Sequence, residues 1–552
     1  MSILRFSQLF VVVTCLLVLP GSTMGQSAQP TPAQQSFVSK VWVADNGDGT
    51  YKNPILHADY SDPDVIRVGD DYYLVASSFN AAPGIPVLHS KDLVNWSIIG
   101  HVFRKQIPLD IFSTPQHGNG VWAPSIRFHN GEFYVFYPDP DRGIYMTKTD
   151  NPAGVWSEPL LIKSVKGWED PCPFWDDDGN AYLVSAMVGS RAGSKSILVL
   201  SRMAKDGTSV LDDGAIVFDG HDKHPTIEGP KLYKRNGYYY ISAPAGGVAQ
   251  GWQTVLRSKE IYGPYEDRIV LAQGKTEING PHQGAWVDTS TGEFWFIHFQ
   301  DKGPYGRIVH LEPMKWINDW PAMGIDPDGD GVGEPVLTYR KPDVGRKWPI
   351  ITPVDSDEFN GNQLGPQWQW QANPGPNWMF PAGAIGVIRM FNVPLPEDFR
   401  NFWDLPNLLL QKFPAPEFTV TTKVKFTPRT DDEKTGLIVM GADYAYVSVA
   451  QKSGALYVSQ TVCKEADRGV TEKESPAVPV KGNQFYFRVS VSKGANCRFS
   501  FSTDGTNFLP VGEAFTAKQG RWIGAKVGIF AVRNGPARET GQADFDWFRF
   551  ER

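Results

Sequence analysis

Five residues that can act as acids or bases, or stack on a sugar ring, recur at a nearly constant distance upstream of five aromatic strand patterns. They are Asp62, Trp122, Asp170, Glu228 and His282, each 11 to 13 residues before an aromatic anchor. Clustered carboxylates repel one another and are seldom buried without a partner, so a fold has little structural use for them. Gathered around one pocket, these residue types indicate a site suited to cleaving sugars.

The aromatic anchors themselves predict the elements that must position these residues. The anchors are Tyr73, Tyr134, Tyr182, Tyr240 and Trp295, separated by 61, 48, 58 and 55 residues. An all-β repeat of this length is typical of a propeller blade, which buries its faces by stacking on its neighbours. We therefore predict five blades. If each anchor lies in the second strand of its blade, the five upstream residues lie on the innermost strands and converge on the axis.

The length and the later sequence pattern predict a second domain. At 552 residues the chain exceeds what one hydrophobic core usually serves. A Pro-containing polar connector at 340–356 separates the predicted propeller, 41–339, from a region at 357–552 where short segments such as 485–491 alternate apolar and polar residues. This alternation predicts an antiparallel β-sandwich, and because no long helical period occurs, the whole protein is predicted to be all-β.

The N-terminus resembles a secretory signal. Arg5 precedes an apolar stretch at 9–19 that is too short to span a bilayer, and small and polar residues follow through Gly25. We predict a signal peptide at 1–25, a disordered leader at 26–40, and export to the periplasm or the medium. Cys15 raises the alternative of a lipoprotein, although the apolar stretch continues beyond it.

Charge and cysteine content exclude several classes of partner. The net charge is −7 and no run of Lys or Arg stands out, so neither nucleic acid nor an anionic membrane is an expected partner. Beyond the predicted signal peptide three cysteines remain, with no zinc-site spacing. Cys172 is expected to be a buried packing residue, while Cys463 and Cys497 could pair in an oxidising compartment.

Four motifs carry a resemblance to a known family. Asp62-Pro63, Asp170-Pro171, Glu228-Gly229-Pro230 and Arg307 within Tyr-Gly-Arg-Ile-Val-His occur in this order, with the blade repeats between them. Together they resemble family 43 glycoside hydrolases over residues 53–336. The C-terminal region resembles the lectin-like, concanavalin-like jelly roll of the xylosidase and arabinofuranosidase branch.

The resemblance implies an inverting hydrolase with three acidic residues. Asp62 would be the general base that activates water, and Glu228 the general acid that protonates the leaving oxygen. Asp170 would orient Glu228 and keep its pKa raised, which agrees with the effect of a nearby negative charge on an acid.

The same resemblance implies how the sugar would be held. Arg307 and His282 would hydrogen-bond to sugar hydroxyls, and Phe79 with Trp122 would form walls of the pocket. For His282 two alternatives stay open: a core histidine, or an indirect ligand to a central calcium ion. One departure from the xylosidase pattern follows Phe79, where Asn80-Ala81-Ala82 replaces further aromatic residues and predicts a more open entrance.

The expected function is that of an exo-acting glycosidase that removes α-L-arabinofuranosyl or β-D-xylosyl residues from plant cell-wall hemicellulose. No cofactor is expected in the reaction and no catalytic metal. A structural calcium ion is possible at residues 326–331, where Asp-Pro-Asp-Gly-Asp-Gly resembles the start of a calcium loop but Leu337 occupies the twelfth position instead of Glu. The rival hypothesis is a non-catalytic carbohydrate-binding protein, and the sandwich could itself bind carbohydrate or complete the rim of the active site.

Overall fold

The computed structural model describes residues 37–536 and 538–552, so the predicted signal peptide and most of the predicted leader lie outside the described residues. Within these residues, no helical segment has the length and hydropathy that a membrane span requires. The one α-helix among the described residues, α1, covers only Gly189–Ala192. Short 3₁₀ turns occupy Ile111–Ser113, Gly303–Tyr305, Gly383–Ile385, Phe402–Asp404 and Ala466–Arg468.

The N-terminal domain is a five-bladed β-propeller. Its strands are β1 (Thr50–Lys52), β2 (Asp64–Val68), β3 (Asp71–Val75), β4 (Gly84–Ser90), β5 (Trp96–Phe103), β6 (Ser125–His129), β7 (Glu132–Asp139), β8 (Gly143–Thr149), β9 (Leu160–Ser164), β10 (Trp168–Trp175), β11 (Ala181–Met187), β12 (Ile197–Met203), β13 (Ala215–Asp219), β14 (Lys231–Arg235), β15 (Tyr238–Ala245), β16 (Trp252–Ser258), β17 (Glu266–Leu271), β18 (His282–Asp288), β19 (Phe294–Asp301), β20 (Arg307–Ile317), β21 (Trp320–Met323) and β22 (Thr338–Arg340). Strands β2–β5, β6–β9, β10–β13, β14–β17 and β18–β21 each form one antiparallel sheet.

Each of the five aromatic anchors lies in the second strand of its blade, as the sequence predicted. The second strands are β3, β7, β11, β15 and β19. The strand before each anchor strand is therefore the innermost one, which begins beside the propeller axis. The ring is closed next to the N-terminus, where β1 pairs with β22 and Leu56 exchanges two backbone hydrogen bonds with Val309 of the fifth blade.

The C-terminal domain is the expected antiparallel sandwich. Its strands are β23 (Gln369–Trp370), β24 (Met379–Ala382), β25 (Val387–Phe391), β26 (Val393–Pro394), β27 (Leu409–Lys412), β28 (Phe418–Thr427), β29 (Lys434–Met440), β30 (Tyr444–Lys452), β31 (Ala455–Cys463), β32 (Lys473–Glu474), β33 (Val478–Val480), β34 (Gln484–Ser492), β35 (Asn496–Ser502), β36 (Leu509–Pro510), β37 (Phe515–Thr516), β38 (Lys526–Arg533) and β39 (Gln542–Glu551). One sheet follows the order β23-β27-β38-β29-β30-β31-β32 and the other the order β24-β25-β39-β28-β34-β35-β36.

The alternation read from the sequence explains the core of the sandwich. Along β34, Phe485, Phe487, Val489 and Val491 are buried between the sheets, and the residues between them are more exposed. This is the pattern of a strand with one face in a core and one in solvent.

The cysteines do not form the pair that the sequence allowed. Cys463 lies in β31 of one sheet and Cys497 in β35 of the other, and both are free and buried. Their side chains act as small apolar groups, and burial raises the pKa of each thiol. Cys172 is also free and fully buried in β10, as expected.

Propeller and sandwich are packed directly against each other. Ala82 of the propeller pairs with Trp370 of β23, and their backbones exchange two hydrogen bonds. The connector after β22 contains no strand up to β23, but it is held in place: Asp355 accepts a hydrogen bond of 2.6 Å from Ser39, and Ile351 donates one to Asn95. The two domains therefore form one compact body.

A buried histidine at this junction predicts a dependence of stability on pH. The His57 ring contacts Trp42 and Tyr305, and burial lowers its pKa from 6.5 to about 4. Between these values the unfolded chain binds a proton that the folded chain does not, so stability falls as the pH falls. We expect the free energy of unfolding to lose about 1.4 kcal/mol per pH unit to His57 alone, or roughly 3 kcal/mol over the whole window.

Urea unfolding of wild type and His57→Gln at several pH values from 7 to 4 measures this effect. The variant should show a shallower decline on acidification. The matched control is His221→Gln, because the side chain of His221 is 52% exposed, so the difference between the two variants isolates the effect of burial. An identical slope in wild type and His57→Gln would contradict the prediction.

Candidate active site

The innermost strands begin at one end of the propeller axis in a repeated local structure. In three blades the first paired residue of the innermost strand is preceded by a proline, at Pro63, Pro124 and Pro230. In the third blade Pro171 precedes Cys172, where the pairing resumes after a register shift. A proline has no backbone N–H to donate, which is tolerated where a strand starts or bulges. The residues that line the axis come directly before these prolines.

Counting from these prolines shows that the site residues come from two adjacent sequence positions, the first and the second before the proline, rather than from one. The residue before the proline is Asp62, Ala123, Asp170 or Gly229, and the residue before that is Ser61, Trp122, Glu169 or Glu228. The predicted site residues therefore lie at two neighbouring levels along the strand: the first level is the residue directly before the proline, and the second is the residue before that. Asp62 and Asp170 share one level, and Trp122 and Glu228 share the other.

The backbone at three of the four positions directly before the prolines adopts an unusual conformation. Asp62 and Asp170 both have φ of 55° and Gly229 has φ of 59°. Few residues other than glycine adopt this left-handed region, although Asp is among those that do. Such strained positions are concentrated at functional sites, where the surrounding structure maintains them.

Asp62 is a buried carboxylate held by three hydrogen bonds. Its Oδ2 accepts from the hydroxyls of Ser61 at 2.7 Å and Ser77 at 2.5 Å, and its Oδ1 accepts from Nη1 of Arg307 at 2.9 Å. A carboxylate offers about four acceptor positions, so one position on Oδ1 stays free for a further donor such as water. Arg307 also donates to Ser61 at 2.7 Å and is itself buried.

Asp170 is a buried acid that is hydrogen-bonded to the backbone next to Glu228. Oδ2 of Asp170 accepts from the backbone N–H of Gly229 at 2.7 Å and from Nε2 of Gln283 at 3.1 Å. Burial raises the pKa of Asp170 to about 8, and the negative charges of Glu228 and Asp62 add to the rise. At neutral pH Asp170 therefore retains its proton.

His282 lies behind Glu228 rather than in the pocket. Its Nε2 is 2.7 Å from Oε1 of Glu228, and its side chain is fully buried whereas that of Glu228 is 21% exposed. The expected contact with a sugar hydroxyl is therefore not what the structure shows, because the ring has no exposed surface. When Nε2 carries the proton, it fixes Oε1 and leaves Oε2 of Glu228 as the oxygen that can carry the acidic proton.

The other predicted side chains meet in one axial cavity of about 300 Å³. The predicted residues that line it are Asp62, Phe79, Trp122, Asp170, Glu228 and Arg307. It combines acids, a guanidinium group and aromatic faces. Such a cavity can bind a small polar ring through hydrogen bonds and through stacking on its apolar face.

The sandwich completes the rim of the cavity, which was one of the alternatives for this domain, through a residue that the sequence did not single out. Trp522, in the loop before β38, lines the cavity and lies with its ring centroid 6.4 Å from that of Trp122. Asp59 fixes this loop to the propeller, because its carboxylate accepts from the backbone N–H groups of Arg307 and Gly524, both at 2.9 Å. Both domains therefore build the site.

The expectation of a more open entrance after Phe79 was wrong. Asn80, Ala81 and Ala82 are buried, and the side chain of Asn80 donates a hydrogen bond to the backbone carbonyl of Gln371 in the sandwich. The small side chains allow the sandwich to pack closely against this segment. They serve the contact between domains rather than access to the cavity.

The possible calcium loop lies outside this cavity. Asp326, Asp328 and Asp330 are exposed, with ligand atoms within 4.8 Å of one another. The carboxylate of Asp326 accepts hydrogen bonds from the backbone of Gly329 and Gly331 in the same turn. These contacts stabilise a polar turn without a metal ion, and calcium binding stays a prediction.

A five-bladed propeller with paired acids in an axial cavity, joined to a concanavalin-like sandwich, defines a glycoside hydrolase. Residues 51–321 match the model of glycosyl hydrolases family 43, and residues 356–551 match the beta xylosidase C-terminal concanavalin A-like domain. The chain belongs to glycoside hydrolase family 43.

Relatives that match over most of their length are named either beta-xylosidase or alpha-L-arabinofuranosidase. The chain is 39% identical to a putative beta-xylosidase of Xylanibacter ruminicola, over 93% of this chain and 91% of that protein. It is 30% identical to a beta-xylosidase of Formosa agariphila, with 98% and 97% covered. It is 29% identical to a non-reducing end alpha-L-arabinofuranosidase of Bacteroides ovatus, with 92% and 97% covered.

Crystal structures of relatives share the two-domain architecture. A GH43 protein of Bacillus licheniformis superimposes with a TM-score of 0.78 at 26% identity, covering 91% of this chain and 99% of that chain. A xylan beta-1,4-xylosidase of Bacillus halodurans gives a TM-score of 0.79 at 25% identity, covering 91% and 100%.

Proposed function

We propose that this protein is an inverting exo-glycosidase that removes terminal α-L-arabinofuranosyl or β-D-xylosyl residues from plant hemicellulose. Arabinoxylan, xylo-oligosaccharides and the side chains of xyloglucan carry such residues. The observation that carries the proposal is the placement of Asp62, Asp170 and Glu228 in one axial cavity with different partners. The names of the relatives support both sugar specificities.

In this mechanism Asp62 is the general base. Its three hydrogen bonds orient the carboxylate, and the free acceptor position on Oδ1 receives a proton from the attacking water. Arg307 balances the negative charge of Asp62 and is placed to hydrogen-bond to a sugar hydroxyl. The water attacks the anomeric carbon on the face opposite the leaving group, which inverts the configuration.

Glu228 is the general acid in the same step. Its Oε2 transfers a proton to the glycosidic oxygen as the bond breaks, while His282 holds Oε1. Asp170 holds the backbone beside Glu228 through the N–H of Gly229, and its raised pKa keeps a proton at the acidic centre near neutral pH. Water, acid and base are sufficient for this chemistry, so we propose that the reaction needs no metal or redox cofactor.

The shape of the cavity supports removal of single terminal sugars. A volume of about 300 Å³ lies at the lower end of the range for ligand pockets. Phe79 and Trp122 form walls from the propeller, and Trp522 adds a wall from the sandwich. A small walled pocket of this kind accepts a chain end or a side branch more readily than the middle of a polysaccharide. The N-terminal apolar stretch supports export, where such substrates occur.

The test is an assay of the purified protein on paired 4-nitrophenyl α-L-arabinofuranoside and β-D-xyloside substrates. We expect turnover of at least one of them, and proton NMR of the first-formed sugar should show the anomer opposite to that of the substrate. The retained anomer would overturn the inverting mechanism. Sugar binding without turnover of either pentoside would favour the rival hypothesis of a non-catalytic carbohydrate-binding protein.

A further inference from the structure

Glu169 is a fourth acid in the cavity, at a position that the proposed mechanism does not use. It lies in β10 directly before Asp170 and lines the same cavity. Successive side chains of a regular strand point to opposite faces. Here a register shift between Glu169 and Cys172, together with the left-handed conformation of Asp170, brings two neighbouring carboxyl groups to one cavity.

The proline register relates Glu169 to the proposed general acid. Glu169 and Glu228 each stand two residues before the proline of their blade, and each precedes a residue with positive φ. The two side chains therefore approach the axis from equivalent places on the third and fourth blades. The equivalence is a property of the local structure and does not depend on the identity of the substrate.

Glu169 differs from the other three acids in its contacts with the described residues. Asp62, Asp170 and Glu228 each form side-chain hydrogen bonds. Glu169 is 6% exposed, and none of the described residues forms a side-chain hydrogen bond or ion pair with it. A buried polar group without a partner destabilises a fold, so an unpaired acid that faces a cavity indicates a partner supplied by a ligand.

Arg191, a basic side chain whose charge acts on Glu169, is directed elsewhere. Arg191 donates to Asn119 at 2.8 Å, lies 3.4 Å from Asp141 and stacks over the Trp122 ring. Burial raises the pKa of Glu169 well above its ordinary value, and the charges of Asp170 and Glu228 add to this rise. As a neutral acid, Glu169 offers one donor and retains acceptor capacity, which suits a sugar hydroxyl.

We propose that Glu169 is a substrate-binding residue whose carboxyl group hydrogen-bonds to a hydroxyl of the sugar that is cleaved. The inference rests on the proposed function for the identity of that sugar. It assigns the contact to the terminal sugar because Glu169 lies beside Asp170 and Glu228 at the acidic centre of the cavity. A site that hydrogen-bonds to a hydroxyl also discriminates against sugars that lack it.

The first experiment compares Glu169→Gln and Glu169→Leu on a 4-nitrophenyl pentoside and on the matching disaccharide. Glutamine keeps a donor and an acceptor, so its KM should stay within about threefold of wild type. Leucine removes both, and its KM should rise about tenfold on both substrates, the effect of losing one hydrogen bond to a bound ligand. The control is Glu312→Gln, because Glu312 is a fully buried acid of the fifth blade that contacts His298 and not the cavity.

Three results would overturn the proposal. An unchanged KM with a lower kcat in Glu169→Leu would mean that Glu169 acts on the acids rather than on the sugar. Equal losses in both variants would show that charge or proton transfer matters instead of hydrogen bonding. A loss confined to the disaccharide would place the contact on the leaving sugar.

Calorimetric titration with free L-arabinose and D-xylose separates this proposal from the proposed function. Wild type should bind at least one of these sugars, and Glu169→Leu should bind it about tenfold more weakly. This loss would support the role of Glu169 even if wild type hydrolysed neither pentoside. Equal binding by both proteins, or binding by neither, would overturn the role of Glu169 while leaving a measured hydrolase activity in place.

Discussion

Replacing Asp62 by alanine is expected to lower kcat by about 10² to 10⁴ on every glycoside that the protein cleaves, the usual contribution of a positioned general base. The attacking water needs a proton acceptor whatever the leaving group is, so activated and unactivated substrates should lose turnover to the same extent. Steady-state kinetics on a 4-nitrophenyl pentoside and on the matching disaccharide measure this directly.

Two further variants make the Asp62 experiment specific. Ser77→Ala removes one of the three hydrogen bonds to the carboxylate and should reduce kcat by about tenfold, because the base loses part of its orientation. Asp70→Ala removes an exposed acid near the same blade and should leave kcat unchanged. A folded Asp62→Ala variant with turnover near wild type would refute the assignment of the base.

The propeller could be predicted from local patterns because each blade repeats them. An aromatic anchor identifies the second strand, and the strand before it must then be innermost. This reasoning was sufficient to bring Asp62, Asp170 and Glu228 to one cavity. The sandwich could be predicted equally well, since a strand with one buried face alternates apolar and polar residues along its length.

The position of Glu169 was also available in the sequence, but in a different alignment. Aligned on the aromatic anchors, the blades place Asp170 beside Glu228. Aligned on Pro171 and Pro230, they place Glu169 beside Glu228, and this second alignment agrees with the strand pairing. The anchors are a less exact reference because the turn between the first two strands is one residue longer in the third blade, where Phe174 pairs with Tyr182, than in the fourth, where Tyr233 pairs with Tyr240.

Other features could not be read from any local pattern. Trp522 reaches the cavity only because the sandwich docks on the propeller, and Asp59 connects two loops that are distant in the sequence. The orientation of His282 depends on a register shift between His282 and Gly284. The residue types at these positions do not predict this shift. Packing between distant parts of the chain determines these three positions, and it cannot be predicted from composition or residue spacing.

Replacing Glu228 by alanine is expected to lower kcat by about 10² to 10⁴ on an unactivated disaccharide, but far less on a 4-nitrophenyl glycoside. A sugar alcohol is a poor leaving group and must be protonated as the bond breaks, whereas nitrophenolate departs without a proton. The size of the defect should therefore follow the pKa of the leaving group. A series of aryl glycosides with leaving groups of increasing pKa measures this dependence in the variant and in wild type.

Comparing Glu228→Ala with Asp62→Ala distinguishes the general acid from the general base. Asp62→Ala should lose turnover equally across the aryl series, and Glu228→Ala should lose progressively more as the leaving group becomes more basic. His282→Ala should resemble a weaker Glu228 variant, because His282 only holds Oε1 of the acid. If Glu228→Ala instead lost the same factor on the disaccharide and on the nitrophenyl glycoside, Glu228 would not be the general acid, and the proton would have to come from Asp170 or Glu169.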